Sequence, residues 1–240
     1  MPNPTAAMLV IGDEILSGRT RDANMHYLAG ELTGAGIDLK EVRIVSDTAA
    51  DIIAASRALA QRYDHVFTSG GIGPTHDDIT ADCIAEAFET PIDVRADAKA
   101  LLAAHYERQG LELNTARLRM ARIPAGAELI DNPVSVAPGF SLGNVHVMAG
   151  VPAVFKAMVA SVLPKLTGGA PLLSDTLRIE RGEGDIAAPL GQVAQLYPDL
   201  SLGSYPFQKD GVYGTNIVLR GTKPEQLKEA KQKLQNMLAQ

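Results

Sequence analysis

The chain has 240 residues, 46% of them hydrophobic and 21% charged, which is length enough for one large domain or a main domain with a smaller second one. A net charge of −6 and a pI near 5.4, with no Lys/Arg cluster longer than two, exclude a nucleic-acid binder that works by neutralising phosphates. No run approaches the ~18 apolar residues of a membrane span, the first residues lack a basic n-region, and one cysteine forms no internal disulfide, so a reducing cytoplasm is the expected compartment.

Apolar runs alternate with segments of helical period, the pattern of a βα-repeating sheet. Residues 7–11 read as a first strand and lead into GDEIL. Residues 22–33 place Met25, Leu28, Ala29 and Leu32 on one helix face, with Gly34 and Gly36 as its end. A second strand, 42–45, reaches Ser46 and Asp47; a helix over 50–62 follows, and a third strand, 65–68, delivers the chain into TSGGIGPTHDDIT. The next helix begins near Asp78 and carries Cys83 at apolar spacing, so the thiol is expected in the core. Residues 97–123 read as more helix with a break at Gly110, and 123–140 as a proline-rich loop region. A short strand at 145–148, the turn AGVP and a helix over 153–163 complete a mostly parallel sheet with helices on both faces, a three-layer α/β domain over 1–168. Gly168, Gly169 and Pro171 mark a linker, and 171–240 reads as a small α+β unit in β-α-β-β-α order whose last helix presents Leu227, Ala230, Leu234 and Leu238 on one face. Tyr205 and Phe207 of that unit are expected in its packing, although either ring suits stacking on a heterocycle.

The loop after the third strand opens where ligands bind in α/β sheets. Glycines at 70, 71 and 73 let backbone amides approach an anion, and a helix N-terminus behind them adds partial positive charge, which together describe a phosphate cradle. Asp77 and Asp78 repel a phosphate; they either cap the helix or hold a divalent cation that bridges to it, and an aspartate ahead of a helix is more often a cap. Asp13, Glu14 and Asp47 follow the first two strands and so fall on the same sheet edge, which independent capping does not predict. Neither G-x-G-x-x-G nor a Walker loop is present. The histidines form no ligand cluster, and only His76, inside the loop, is placed to touch a phosphate or carry a proton.

Taken in order, GDEILSG at 12–18, SDTAADI at 46–52, TSGGIGPTHDDITAD at 68–82, NPVSVAPGF at 132–140 and AGVP at 149–152 resemble the molybdopterin-binding, MoaB/Mog-like domain of the CinA (competence/damage-inducible protein A) family, over residues 6–166. GSYPF at 203–207 and GTNIVLRG at 214–221 resemble the extension that follows it, and the C-terminal deamidase domain of longer members is not matched. The resemblance implies a phosphate loop of Ser69, Gly70, Gly71, Gly73, Pro74 and Thr75; catalytic Asp47, Asp77 and Asp78; and a metal set of Asp13, Asp47 and Asp78 for Mg, Mn or Co. Ligand contacts are implied at Gly12, Asp13, Glu14, Asn132, Pro138, Gly139, Gly150 and Pro152. Two departures stand out: Ser135 and Val136 replace a usual Gly-Thr, and Val154 stands where a carboxylate is usual. The resemblance implies metal-dependent hydrolysis of a nucleotide pyrophosphate such as ADP-ribose or FAD, or instead non-hydrolytic binding of a pterin or nucleotide phosphate linked to molybdenum cofactor biosynthesis. It also implies a homo-oligomer.

Overall fold

The structure, a computed structural model, describes residues 2–239 and divides into two compact units that part between Gly169 and Ala170. In the first unit the chain runs β1 (Thr5–Ile11), α1 (Asp13–Leu16), α2 (Asn24–Ala35), β2 (Asp38–Val45), α3 (Ala49–Arg62), β3 (His65–Ser69), α4 (Thr80–Ala87), β4 (Ile92–Val94), α5 (Ala96–Arg108), α6 (Thr115–Leu118), β5 (Arg122–Pro124), β6 (Glu128–Ile130), β7 (Gly139–Leu142), β8 (Val145–Met148) and α7 (Pro152–Val162). The six-stranded sheet has the order β2-β1-β3-β8-β7-β6, parallel from β2 to β8 and antiparallel beyond.

Strand β1 shows why this sheet is covered twice. Its side chains alternate between faces, so Ala7, Leu9 and Ile11 enter one core with Ile52 and Leu59, while Ala6, Met8 and Val10 enter the other with Leu28, Leu32 and Phe155. Each fully buried large side chain is worth about 1.5–3 kcal/mol, which makes this strand the spine of the unit. The parallel register brings Ile11 beside Val45 and Val10 beside Ser69, so the carboxyl ends of β1, β2 and β3 share one edge.

Several local expectations change. Helix α2 runs through Gly34 and ends at Gly36, whose φ of 69° is the left-handed cap a glycine favours. Met25, placed on the buried helix face by periodicity, is 38% exposed. The 123–140 stretch holds short strands, and β4 pairs with β5 in a separate ribbon. Helix α4 begins at Thr80, not near Asp78. Cys83 is buried and its thiol is pushed up to about 11 by burial, as a core cysteine should be.

The second unit runs β9 (Leu173–Ile179), α8 (Glu183–Leu196), β10 (Ser201–Lys209), β11 (Val212–Gly221) and α9 (Pro224–Leu238), with an antiparallel sheet in the order β10-β11-β9. Ile217 and Leu219 meet Ile186, Leu227, Ala230, Leu234 and Leu238 in its core. No helix among the described residues is long and apolar enough to cross a membrane.

Candidate functional site

A cavity of about 500 Å³ opens at the carboxyl edge of β1, β2, β3 and β8, within the range of small-ligand sites. The close approach of two strand ends makes its floor. A Cβ at Gly70, where φ is 115°, would lie 2.2 Å from the Ile11 carbonyl oxygen, and one at Gly71, where φ is 68°, would lie 2.1 Å from Thr80 Oγ1. Thr80, fully buried, fastens the loop from behind by donating its hydroxyl to the Gly70 carbonyl at 3.0 Å and its N–H to the Gly71 carbonyl at 3.0 Å. Among the described residues the N–H groups of Gly71, Ile72 and Gly73 have no partner within the protein. Three successive free amides in a glycine-rich loop form an anion cradle.

Asp78 does not cap the helix that follows. Its Oδ2 accepts from the Thr75 N–H at 2.8 Å and the Thr75 hydroxyl at 2.5 Å, which folds the 73–78 turn on itself and leaves Oδ1 free. Asp47 Oδ2 accepts from the Asp13 N–H at 2.9 Å, again leaving one oxygen free. Asp77 is held below the usual carboxylate range, first by the neighbouring Thr75 side chain and then by its own main-chain N–H. Behind the loop, Arg119 donates through Nη2 to the Asp78 carbonyl at 3.2 Å, and its Nε is buried without a partner.

The wall gathers Gly12, Glu14, Asp47, Gly70, Gly71, Gly73, Asp77, Asp78, Asn132, Gly150 and Pro152 from the sequence-derived set. The side chain of Asp13 is exposed and off the wall, as are Pro74, Thr75 and His76. Ser69 is buried beneath the loop; Pro138 lines a smaller adjoining cleft, and Gly139 is buried where β7 starts, a Cβ there falling 2.4 Å from the Val147 carbonyl. Asn132 reaches the wall with its amide already spent. The nitrogen donates to Ser135 Oγ and the Ala137 carbonyl, and the oxygen accepts from the N–H groups of Val134 and Ser135. This Asn therefore shapes the loop that carries Ser135 and Ala137, and in that loop Val136 adopts a φ of 68°, a strained conformation for a β-branched residue.

Two residues that the sequence did not single out organise the site. Thr80 is one. The other is Asn24, 3% exposed, whose Nδ2 donates to Ser69 Oγ at 2.8 Å and to the Gly150 carbonyl at 2.7 Å, tying α2 to the ends of β3 and β8. An N-terminal Asn on a helix is a weak signal, and only the distance between partners in sequence reveals the tie.

The cation question turns on the donor set. Among the described residues no group of three or more His, Cys, Asp or Glu stands as a metal cage, and Asp13 does not join Asp47 and Asp78. The wall offers the carboxylates of Glu14, Asp47, Asp77 and Asp78 and no Lys, Arg or His. Mg²⁺ is commonly held by one or two carboxylates plus substrate phosphates and water, and Asp47 and Asp78 with their free oxygens fit that role, which an all-protein cage would not.

Residues 7–168 match the family model described as probable molybdopterin binding domain, and residues 171–240 match that described as FAD synthase, middle domain. A CinA-like protein of Myxococcus xanthus is 38% identical over 77% of this chain and 48% of its own length. A probable FAD synthase of Caenorhabditis elegans is 30% identical over 98% of this chain and 50% of its own, so the chain spans about half the length of these relatives. The solved structure of the protein CinA from Thermoplasma acidophilum, described as of unknown function, superposes with a TM-score of 0.63 at 31% identity, over 69% of this chain and 99% of that one.

Proposed function

Because the chain belongs to the molybdopterin-binding domain family, in its CinA-like, MoaB/Mog-fold branch, we propose that it hydrolyses a nucleotide pyrophosphate, ADP-ribose or FAD, with a divalent cation. The observation that carries this reading is the pairing of opposites in one cavity: three unpartnered loop amides that attract a phosphate, facing four carboxylates that repel one. A polyphosphate enters such a space only when its charge is compensated. Asp47 and Asp78 would hold the cation, which, when bound, draws electron density from the phosphate oxygens.

The chain's own residues account for the remaining steps. The amides of Gly71, Ile72 and Gly73 hold one phosphate and stabilise charge that develops on it. Thr75 fixes Asp78 so that one carboxylate oxygen is aimed and the other is spent. Asp77, the wall carboxylate of the expected catalytic set that is not assigned to the cation, takes the proton of an attacking water; the water oxygen bonds to one phosphorus, the bridging P–O bond breaks, and the leaving phosphate departs, giving AMP and ribose 5-phosphate or FMN. The name of the Caenorhabditis elegans relative supports FAD as one of the two substrates to try.

The second reading, binding without hydrolysis, is favoured by Val154, which puts an apolar side chain on the wall where the CinA resemblance expects an acid. AMP release from ADP-ribose and from FAD, measured with Mg²⁺, Mn²⁺ or Co²⁺ and with chelator, separates the two. Hydrolysis predicts release that stops in chelator and falls by about 100-fold or more in Asp78→Asn. Absence of release from both substrates, with ligand still bound, would establish the binder. The homo-oligomer and the cytoplasmic setting belong to the same reading, and light scattering on the purified chain tests the first.

A further inference from the structure

Asp78 is held from two directions. Within its own turn, its N–H donates to the Thr75 carbonyl at 3.3 Å and its Oδ2 takes both Thr75 donors. A Cβ at Gly73 would fall 2.6 Å from that Oδ2, so the carboxylate lies directly against the amide cradle. The Asp78 carbonyl is the remaining group. Because α4 starts only at Thr80, no main-chain N–H among the described residues reaches this carbonyl, and Arg119 Nη2 supplies the donor instead, at 3.2 Å. Every polar group of Asp78 except Oδ1 is then spent.

Arg119 follows directly on α6 and forms no part of the cavity wall; it lines the narrow cleft behind Gly71, Ile72, Gly73 and Asp78. The other arginine of that cleft, Arg122, is compensated by an ion pair with Asp82. Among the described residues no carboxylate pairs with Arg119, and its Nε is buried without a partner. A buried donor left unpaired is a cost to the fold, so stability does not account for this arginine. What its place supplies is a fixed hydrogen bond to Asp78 and a positive charge behind a cradle that faces four carboxylates.

We propose that Arg119 is a positioning residue of the cation site: through the Asp78 carbonyl it fixes the carboxylate that takes the divalent cation, and its charge favours the phosphate that accompanies the cation. The inference rests on Asp78 as a cation ligand and extends that reading to a side chain that never touches the ligand.

The test is Mn²⁺ binding to the full chain with AMP present, followed by electron paramagnetic resonance, in the wild type and in Arg119→Ala. The half-saturating Mn²⁺ concentration is expected to rise about ten-fold or more in the variant, the loss of one charge-assisted hydrogen bond. Arg119 also lines a groove of about 430 Å³, which gives small solutes a way to its place. Millimolar guanidinium ion is therefore expected to restore Mn²⁺ binding to Arg119→Ala, and urea, of the same shape without the charge, is not. An arginine that merely fills space would be replaced equally by both or by neither, and either result overturns the proposal, as does an unchanged Mn²⁺ midpoint. Should Arg119→Ala fail to fold by circular dichroism, Arg119→Gln, whose amide nitrogen stops two bonds short of Nη2, replaces it, and the Mn²⁺ midpoint alone decides. The readout needs no turnover, so failure of the hydrolysis assay leaves it standing. A wild type that takes up no Mn²⁺ with AMP defeats the cation reading itself, and this proposal with it, before any variant is compared.

Discussion

His146 is 4% exposed, stacked near Phe67 with ring centroids 5.0 Å apart, and its Nδ1 lies 2.9 Å from Ser141 Oγ. Burial pushes its pKa down to about 4, and the neighbouring His65, 3.4 Å away at the ring nitrogens, adds to the fall. The unfolded chain takes up this proton near pH 6.5 while the folded chain declines it until about pH 4. Stability from this residue is therefore complete above pH 6.5 and is lost as pH falls through that window, by about 3 kcal/mol in all. Urea unfolding at several pH values should show this slope in the wild type and most of it gone in His146→Gln; an unchanged slope would refute the assignment. At Val136 the left-handed backbone predicts a gain instead, because Asn tolerates that conformation. Val136→Asn should raise the unfolding free energy by about 1 kcal/mol, read from the urea midpoint.

At the scale of the element, the phosphate loop shows what a sequence can and cannot say. Gly70 and Gly71 are demanded by positive φ and by close contact with the Ile11 carbonyl and Thr80 respectively, and Gly71→Ala is predicted to cost at least ~2 kcal/mol, from strain and collision with Thr80. Thermal unfolding with the loop otherwise intact checks this, and a silent substitution would sink it. The βα alternation was legible for the same reason that β1 is: its apolar period serves two cores. The strands within 122–142 were hidden because three- and four-residue segments broken by Pro124 and Pro138 carry no period to count. Asn24, Thr80 and Arg119 were hidden because their partners lie 9 to 126 residues away and only the fold introduces them. Asp78 was legible as a residue of consequence, but its bond to Thr75 depends on where α4 starts, and the sequence placed that start two residues early.

For the whole molecule, every residue lining the cavity falls before residue 170. A chain ending at Gly169 is predicted to release AMP from ADP-ribose within a few-fold of the full-length rate; loss of activity in a folded truncation would show that the second unit takes part in the chemistry. The cavity is also built from parts of unequal depth. Its floor is the end of β1, paired on both sides and buried along nearly its whole length, whereas its walls at 70–79 and 132–137 are irregular and partly solvated. In the language of amide hydrogen exchange, the floor belongs to the slowest class, which opens only with the whole unit, and the walls open by local fluctuation. A ligand should accordingly slow exchange in the two walls alone, leaving the β1 amides as they were, and so report its own position without a crystal.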